Sequence, residues 1–182
     1  MASTTEKLQK LESILVVQNA PVLPYLNPRA GREDLLKFFG EQNIEPIPSL
    51  IALYEWHNGV RFPVQGIRQS VIEILPMGIF YSLDQLAGSR KDIIRWNYME
   101  RPEEYVPLFG SGEDDIFLLK YTSGEIFYLS PAAGSYGEFQ FKSIDGMLEF
   151  IIECYEQGIF WIDPSSGLEI KEDEYSAKLQ NI

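Results

Sequence analysis

The two side chains that most often act as a catalytic base or nucleophile each occur once in this chain. Any Ser-His-Asp or Cys-His arrangement would have to include the single histidine, His57. His57 lies at a predicted helix end, where a helix-capping or surface residue is the ordinary interpretation. The single cysteine, Cys154, cannot form an internal disulfide and lies in an amphipathic stretch, which favours a buried, inert thiol. One histidine and one cysteine are too few for a zinc site. We therefore predict no catalytic residue, no metal site and no cofactor.

A glycine-rich loop is the next candidate for chemistry. Gly110-Ser111-Gly112 leads directly into Glu113-Asp114-Asp115, with no lysine of the kind that a phosphate-binding loop carries. The acidic triplet would repel phosphate, and it lacks the alternating oxygen ligands of a calcium loop. The segment is thus predicted to be a turn between two strands. Paired carboxylates for glycoside hydrolysis stay open, because they need only proximity in space.

The charge of the chain is uneven along its length. It contains 15 Lys and Arg against 27 Asp and Glu, a net charge of −12. Residues 1–99 hold ten acids and ten bases, whereas residues 100–182 hold seventeen acids and five bases. Such a surface repels nucleic-acid backbones and suits a basic protein partner. The alternative interpretation is that the acids serve solubility alone.

The carboxylates in or beside predicted turns are the candidate contacts for such a partner, because binding residues concentrate in loops. For each of them the alternative is an ordinary solvated surface. The candidates are Glu103, Glu104, Glu113, Asp114, Asp115 and Glu138.

The elements that would position these residues follow from hydrophobic spacing and turn signals. Helices come first, then a run of short strands, then helices again, which indicates an α+β fold rather than alternating α/β. The strand pair 116–121 and 125–129 is joined by Thr122-Ser123-Gly124 and is predicted to form a tight antiparallel hairpin. Helices are predicted at 5–19, 32–42, 47–56, 83–96, 144–157 and 172–180, and strands at 71–75, 78–81, 105–109, 116–121, 125–129 and 138–141. Ser82 and Ser143 are predicted to cap the helices that follow them, and residues 163–167 to form a turn. Most aromatic residues fall at helix or strand spacing, which predicts core packing.

The length of 182 residues fits one domain. Within it, residues 1–29 are expected to form a helix and a proline-rich link, and residues 30–182 the main body. No stretch approaches the roughly 20 apolar residues that a membrane helix needs, and the first residues do not read as a signal peptide. Together with the lone cysteine, this leads us to expect a cytoplasmic protein that contacts no membrane.

An ordered series of segments in residues 30–182 resembles the SUKH superfamily, which contains fungal cell-wall-assembly regulators and many bacterial immunity proteins. Its most recognisable piece is the helix end Leu53-Tyr54-Glu55-Trp56-His57-Asn58-Gly59. The series continues through 74–83, 106–115, the hairpin 117–128 and the helix around 143–150.

The resemblance implies an α+β fold with a central, mostly antiparallel, twisted sheet flanked by helices. It also implies protein binding, since the superfamily shares no catalytic residues: bacterial members neutralise secreted toxins, and fungal members bind signalling and cell-wall-synthesis partners. Trp56, Asn58 and Gly59 match the helix-end motif, which implies a structural role for them in closing the helix and packing it on the sheet. Trp56 is therefore expected to be at least partly buried.

Three hypotheses about function follow. The first is a non-catalytic immunity-type protein that neutralises a basic toxin or nuclease domain through its acidic second half. The second is a regulatory scaffold for cell-wall or signalling enzymes. The third, from a different class, is a carbohydrate-active enzyme that uses two of the carboxylates.

Overall fold

The computed structural model describes residues 2–62, 65–111 and 115–181. Across these residues the chain forms six α-helices, a five-stranded sheet and a separate two-stranded hairpin, so the predicted α+β fold is confirmed. The helices are α1 (Thr4–Val17), α2 (Arg32–Glu41), α3 (Pro48–Trp56), α4 (Leu83–Trp96), α5 (Ile144–Glu156) and α6 (Glu172–Leu179). The strands are β1 (Ile79–Phe80), β2 (Tyr105–Gly110), β3 (Ile116–Lys120), β4 (Ile126–Ser130), β5 (Ser135–Phe141), β6 (Phe160–Asp163) and β7 (Gly167–Ile170).

The large sheet is an antiparallel meander in which β1 to β5 lie side by side in chain order. The predicted hairpin between β3 and β4 is confirmed. Its turn closes through the Gly124 amide, which donates to the Lys120 carbonyl at 2.8 Å, and Gly124 adopts the left-handed φ of +83° that glycine accommodates without strain. Two irregularities in the β4–β5 pairing shift which residues face each other along the edge strand β5.

Apolar side chains alternate along the strands and are buried on both faces of the sheet. In β3, Phe117 and Leu119 join the main core with residues of α1, α3 and α5, whereas Ile116 and Leu118 join a smaller core that includes Ile93 of α4. Helices therefore cover both faces, with α4 on one side and the α1, α3 and α5 group on the other.

Helix α1 is joined to α5 by charged pairs along their contact, here called the α1–α5 seam. Lys7 Nζ lies 3.1 Å from Asp145 Oδ1 and 2.8 Å from Glu149 Oε1, and Lys10 Nζ lies 2.8 Å from Glu156 Oε1. Burial alone would lower the pKa of Lys7, but its bonds to the two carboxylates outweigh burial and raise it. The seam thus places lysines of the neutral first half against acids of the second half.

The caps of α4 and α5 are as predicted. The Ser82 hydroxyl oxygen accepts a hydrogen bond from the Gln85 backbone amide, and Gln85 Oε1 accepts one from the Ser82 backbone amide, which forms a capping box. The Ser143 hydroxyl oxygen accepts a hydrogen bond from the Gly146 amide at 3.0 Å. These bonds satisfy amides that the first turn of a helix leaves without partners.

The predicted strand at 71–75 is wrong. Residues Gln69–Ile72 form a short 3₁₀ helix instead, and only Leu75 bridges to Gly78. Pro76 and the left-handed Met77 (φ +58°) reverse the chain immediately afterwards, and the 3₁₀ helix packs against β7 rather than entering the sheet. The β6–β7 hairpin was not predicted as strands, although its turn at 163–167 was.

Candidate protein-binding surface

The predicted helix-end motif lies between α1, α3 and the start of α4. Trp56 is half-buried, as predicted: its ring stacks on Phe80 with centroids 6.2 Å apart, and its Nε1 donates to Glu12 Oε2 at 3.0 Å. These contacts hold the end of α3 against β1 and α1.

Asn58 and Gly59 connect the same helix end to the beginning of α4. Asn58 Oδ1 accepts the Leu83 amide at 3.0 Å, and the Asn58 carbonyl accepts Asn27 Nδ2 at 3.0 Å. Gly59 has φ +70°, and a Cβ placed on it would lie 2.2 Å from the Ser82 nitrogen. Only glycine fits that approach, so the motif's contacts serve the arrangement of helices and sheet.

The lone histidine and cysteine occupy different surroundings. His57 ends α3, with Nδ1 2.8 Å from the Asn27 carbonyl and Nε2 3.6 Å from Glu12 Oε1. Cys154 is 0% exposed inside the main core, and burial raises the pKa of its thiol to about 12. Its predicted burial is confirmed, and the thiol is protonated at neutral pH.

Two of the six predicted contact carboxylates are buried and bonded within the chain. Glu104 is 4% exposed and forms ion pairs with Arg101 and Lys120. Asp115 is 7% exposed and accepts the Tyr128 hydroxyl at 2.9 Å. Their position beside turns predicted exposure, but partners brought by neighbouring strands cover both groups.

Glu103 and Glu138 are exposed, and Glu113 and Asp114 lie outside the described residues. Glu103 precedes β2 at one end of the β2–β3 ladder, whereas Asp115 precedes β3 at the other end. The five steps of β2 span about 17 Å at roughly 3.3–3.4 Å per residue. The structure therefore separates Glu103 from Asp115, whereas Asp115 and Glu138 both lie beside Tyr128.

Around Tyr128 the chain forms an open cavity of about 450 Å³, here called the Tyr128 groove. It lies between the outer sheet strands, the turn at Pro76 and Met77, and helix α6. Its principal lining residues are Met77, Phe117, Tyr128, Glu138, Glu172 and Tyr175.

The floor of the groove is aromatic and is held by an internal hydrogen bond. The Phe117 and Tyr128 rings lie 5.1 Å apart, and the Tyr128 hydroxyl is fixed on Asp115. The pKa of Tyr128 is raised to about 12, mainly by burial and additionally by the neighbouring carboxylates of Asp115 and Glu138. At neutral pH the phenol keeps its proton and donates it to Asp115.

The rim of the groove carries uncompensated negative charge. Glu138 lies opposite Tyr128 on β5, and Glu172 begins α6. Neither carboxylate forms an ion pair or side-chain hydrogen bond with any described residue, and no described lysine or arginine lines the cavity. The arrangement is suited to a cationic group from outside the chain.

Among the described residues, Glu138 is the one predicted contact that lines this cavity, whereas Tyr128, Glu172, Tyr175 and Met77 line it without having been predicted as contacts. The aromatic residues were assigned to core packing, which Phe117 and Tyr128 partly fulfil. The pairing of Tyr128 with Glu138 depends on the irregular β4–β5 register, and no local signal in the sequence places α6 beside it.

Within 2–62, 65–111 and 115–181, no group of three or more His, Cys, Asp or Glu side chains is arranged to hold a metal ion. None of the helices in those ranges has the length and apolar character needed to span a bilayer.

Comparison with known proteins gives no assignment: no family profile matches the sequence, and no curated protein matches it.

Proposed function

We propose that this chain is a non-catalytic, cytoplasmic protein-binding module of the immunity type, which neutralises a basic toxin domain through an acidic surface. The observation that carries the proposal is the Tyr128 groove, where Glu138 and Glu172 face solvent without a cation from the described chain. The resemblance to the SUKH superfamily supports the same class of function.

The distribution of internal ion pairs supports this proposal. Lys7 and Lys10 neutralise acids of α5, and Arg101 and Lys120 neutralise Glu104. The remaining negative charge includes the exposed carboxylates of Glu103 and Glu138, which lie apart on the sheet. A net excess of exposed carboxylates raises the rate at which a basic partner is encountered.

The test first isolates the partner by pull-down from the native lysate and then uses its purified basic toxin domain, as the proposal requires. Stopped-flow association is measured across a salt series with the wild type and with the Glu103→Lys, Glu138→Lys double variant. At about 0.15 M salt the screening length is about 8 Å, so the on-rate should fall as salt rises and should fall further in the variant.

Glu45→Lys, an exposed change in the neutral half of the chain, is the matched control. It alters net charge by the same amount per site and should leave the on-rate nearly unchanged. An on-rate indifferent to both salt and the double reversal would reduce the acidic surface to a solubility device and remove the main support for the proposal. A partner that proved to be a cell-wall or signalling enzyme would favour the regulatory scaffold instead.

One observation favours the carbohydrate-active alternative. Glu138 and Glu172 line the same cavity as two tyrosine rings, and carboxylates beside aromatic rings are also how glycosidases hold and cleave sugars. Glycosidase substrates and a glycan array test it directly. Hydrolysis by the wild type that is lost in Glu138→Gln or Glu172→Gln would replace the binding proposal with an enzymatic one.

A further inference from the structure

We infer that the Tyr128 groove is the receptor for an arginine side chain presented by the basic partner, with the guanidinium on the Tyr128 ring and between Glu138 and Glu172. This inference rests on the proposed function for the origin of the arginine, but the groove's chemistry can be tested without that partner.

The floor of the groove is prepared for a flat cation. Tyr128 contacts Phe117 on one side and is anchored through its hydroxyl to the buried Asp115, which fixes the ring before any ligand arrives. A guanidinium stacks on such a ring face, because its planar delocalised charge is attracted to the ring quadrupole and is weakly hydrated.

The two carboxylates, neither of which pairs with a side chain in the described ranges, come from different walls of the groove. Glu138 belongs to the edge strand β5, and Glu172 to the first turn of α6. The lysines on either side of Glu172 are engaged elsewhere, because Lys171 Nζ lies 3.4 Å from Glu174 and Lys178 Nζ lies 2.7 Å from Glu153. Within the described part of α6, no positively charged side chain is therefore positioned to neutralise the carboxylates of the groove.

Arginine fits this combination better than lysine. Its five N–H donors form a planar fork that can bond two carboxylates while the plane stacks on an aromatic ring, whereas an ammonium is a compact, strongly hydrated point charge. The exposed Met77 at the rim, 41% accessible, supplies an adaptable apolar contact for the arginine methylenes. The volume of about 450 Å³ lies within the usual range of roughly 300–1,000 Å³ for ligand cavities.

The experiment titrates the ¹⁵N-labelled full chain with three probes, N-acetyl-arginine amide, N-acetyl-lysine amide and N-acetyl-norleucine amide, and follows amide shifts. We expect the arginine probe to shift the amides of Phe117, Tyr128, Glu138 and Tyr175. It should bind about tenfold more tightly than the norleucine probe and more tightly than the lysine probe.

Three variants identify the groups responsible. Glu138→Gln and Glu172→Gln together keep the shape but remove the charge, and they should weaken the arginine probe about tenfold or more; Glu45→Gln should leave it unchanged. Tyr128→Leu removes the ring and should also weaken binding. Amide spectra away from the groove verify that each variant is folded.

Equal affinity for arginine and norleucine, shifts centred elsewhere, or a double glutamine variant that binds like the wild type would each overturn the inference. Its failure is distinguishable from that of the proposed function. If binding of the toxin domain is salt-sensitive but is unchanged in the double glutamine variant, the arginine inference fails and the proposed function stands. If the arginine probe binds in the groove but the toxin domain does not associate with the chain, the groove's chemistry stands and the proposed function fails.

Discussion

The α1–α5 seam and the Tyr128 groove both concentrate carboxylates but balance them in different ways. In the seam, Lys7 is 8% exposed at its side chain and bonds two acids of α5, and Thr4 adds a hydroxyl bond to Asp145. In the groove, Glu138 and Glu172 have no such partner among the residues that the structure describes. The same residue type thus forms ion pairs within the fold where a lysine faces it, and lacks a described cation in the groove, the surface for which we propose a binding role.

The largest loss of stability should come from disrupting the contact between the end of α3 and the start of α4, at Gly59. Gly59→Ala places a Cβ 2.2 Å from the Ser82 nitrogen and imposes a left-handed conformation that alanine disfavours. We expect a loss of more than about 3 kcal/mol in the free energy of unfolding, or no soluble protein. Gly124→Ala is the control: its φ is also positive, but nothing lies within 4 Å of the added Cβ, so a loss of only about 1 kcal/mol should follow. Equal losses would contradict the clash.

Trp56→Ala should have the next largest effect. The variant loses the ring contact with Phe80 and the bond to Glu12, and because the ring is only half-buried we expect about 3 kcal/mol, the lower end for a tryptophan deletion. Trp161→Ala, at a hairpin residue 40% exposed, serves as the matched control and should cost clearly less. Urea denaturation measures both, and a Trp56→Ala protein as stable as its parent would contradict the structural role.

Lys7→Met breaks the seam without leaving a cavity. Two carboxylates lose their cation, but they are 37% and 52% exposed, so water screens the loss and we expect about 1–2 kcal/mol. If the loss is electrostatic, it should shrink in Lys7→Met, Asp145→Asn, Glu149→Gln, where no unpaired charge remains. A triple variant as unstable as Lys7→Met would assign the effect to packing instead.

Glu73 offers a third situation, a buried carboxyl whose nearest partner is the neutral Gln69 amide at 2.5 Å. Burial raises its pKa above the ordinary value of 4.5. Between 4.5 and the raised value the folded chain keeps a proton that the unfolded chain has lost, so the free energy of unfolding falls as the pH rises through that window. Glu73→Gln should flatten this fall and be more stable than the wild type at pH 7, as measured by denaturation at several pH values.

The smallest effect on stability should come from the groove itself. Glu138→Gln and Glu172→Gln remove exposed charges that no described side chain pairs with, so the free energy of unfolding should stay within about 0.5 kcal/mol of the wild type. A loss as large as that of Lys7→Met would show that the groove carboxylates serve the fold, and would erase the contrast with the seam.

Most of the fold was predictable because its signals are local. The six helices, the β3–β4 hairpin and the caps at Ser82 and Ser143 follow from spacing and turn chemistry, and their ends agree within one or two residues. The strand at 71–75 failed because apolar residues in a short run read alike whether they enter a sheet or pack in a 3₁₀ turn.

The site was less predictable because its geometry is tertiary. Glu104 and Asp115 read as exposed loop acids, yet Lys120 and Tyr128 from adjacent strands cover them. Glu138 stays a predicted contact: its relation to Tyr128 depends on the irregular β4–β5 register, and Glu172 reaches the groove only through the placement of α6.

Cys154 is a natural probe of how often the core of this protein opens. The thiol is 0% exposed and protonated at neutral pH, so an alkylating reagent reaches it only when α5 leaves the core. The rate of modification therefore counts opening events at native conditions, much as amide exchange does, but at one chemically defined position and without any engineered label. A ligand that binds on the outer sheet and stabilises the fold would therefore lower the rate at which Cys154 is modified, although it binds at a distance from the thiol.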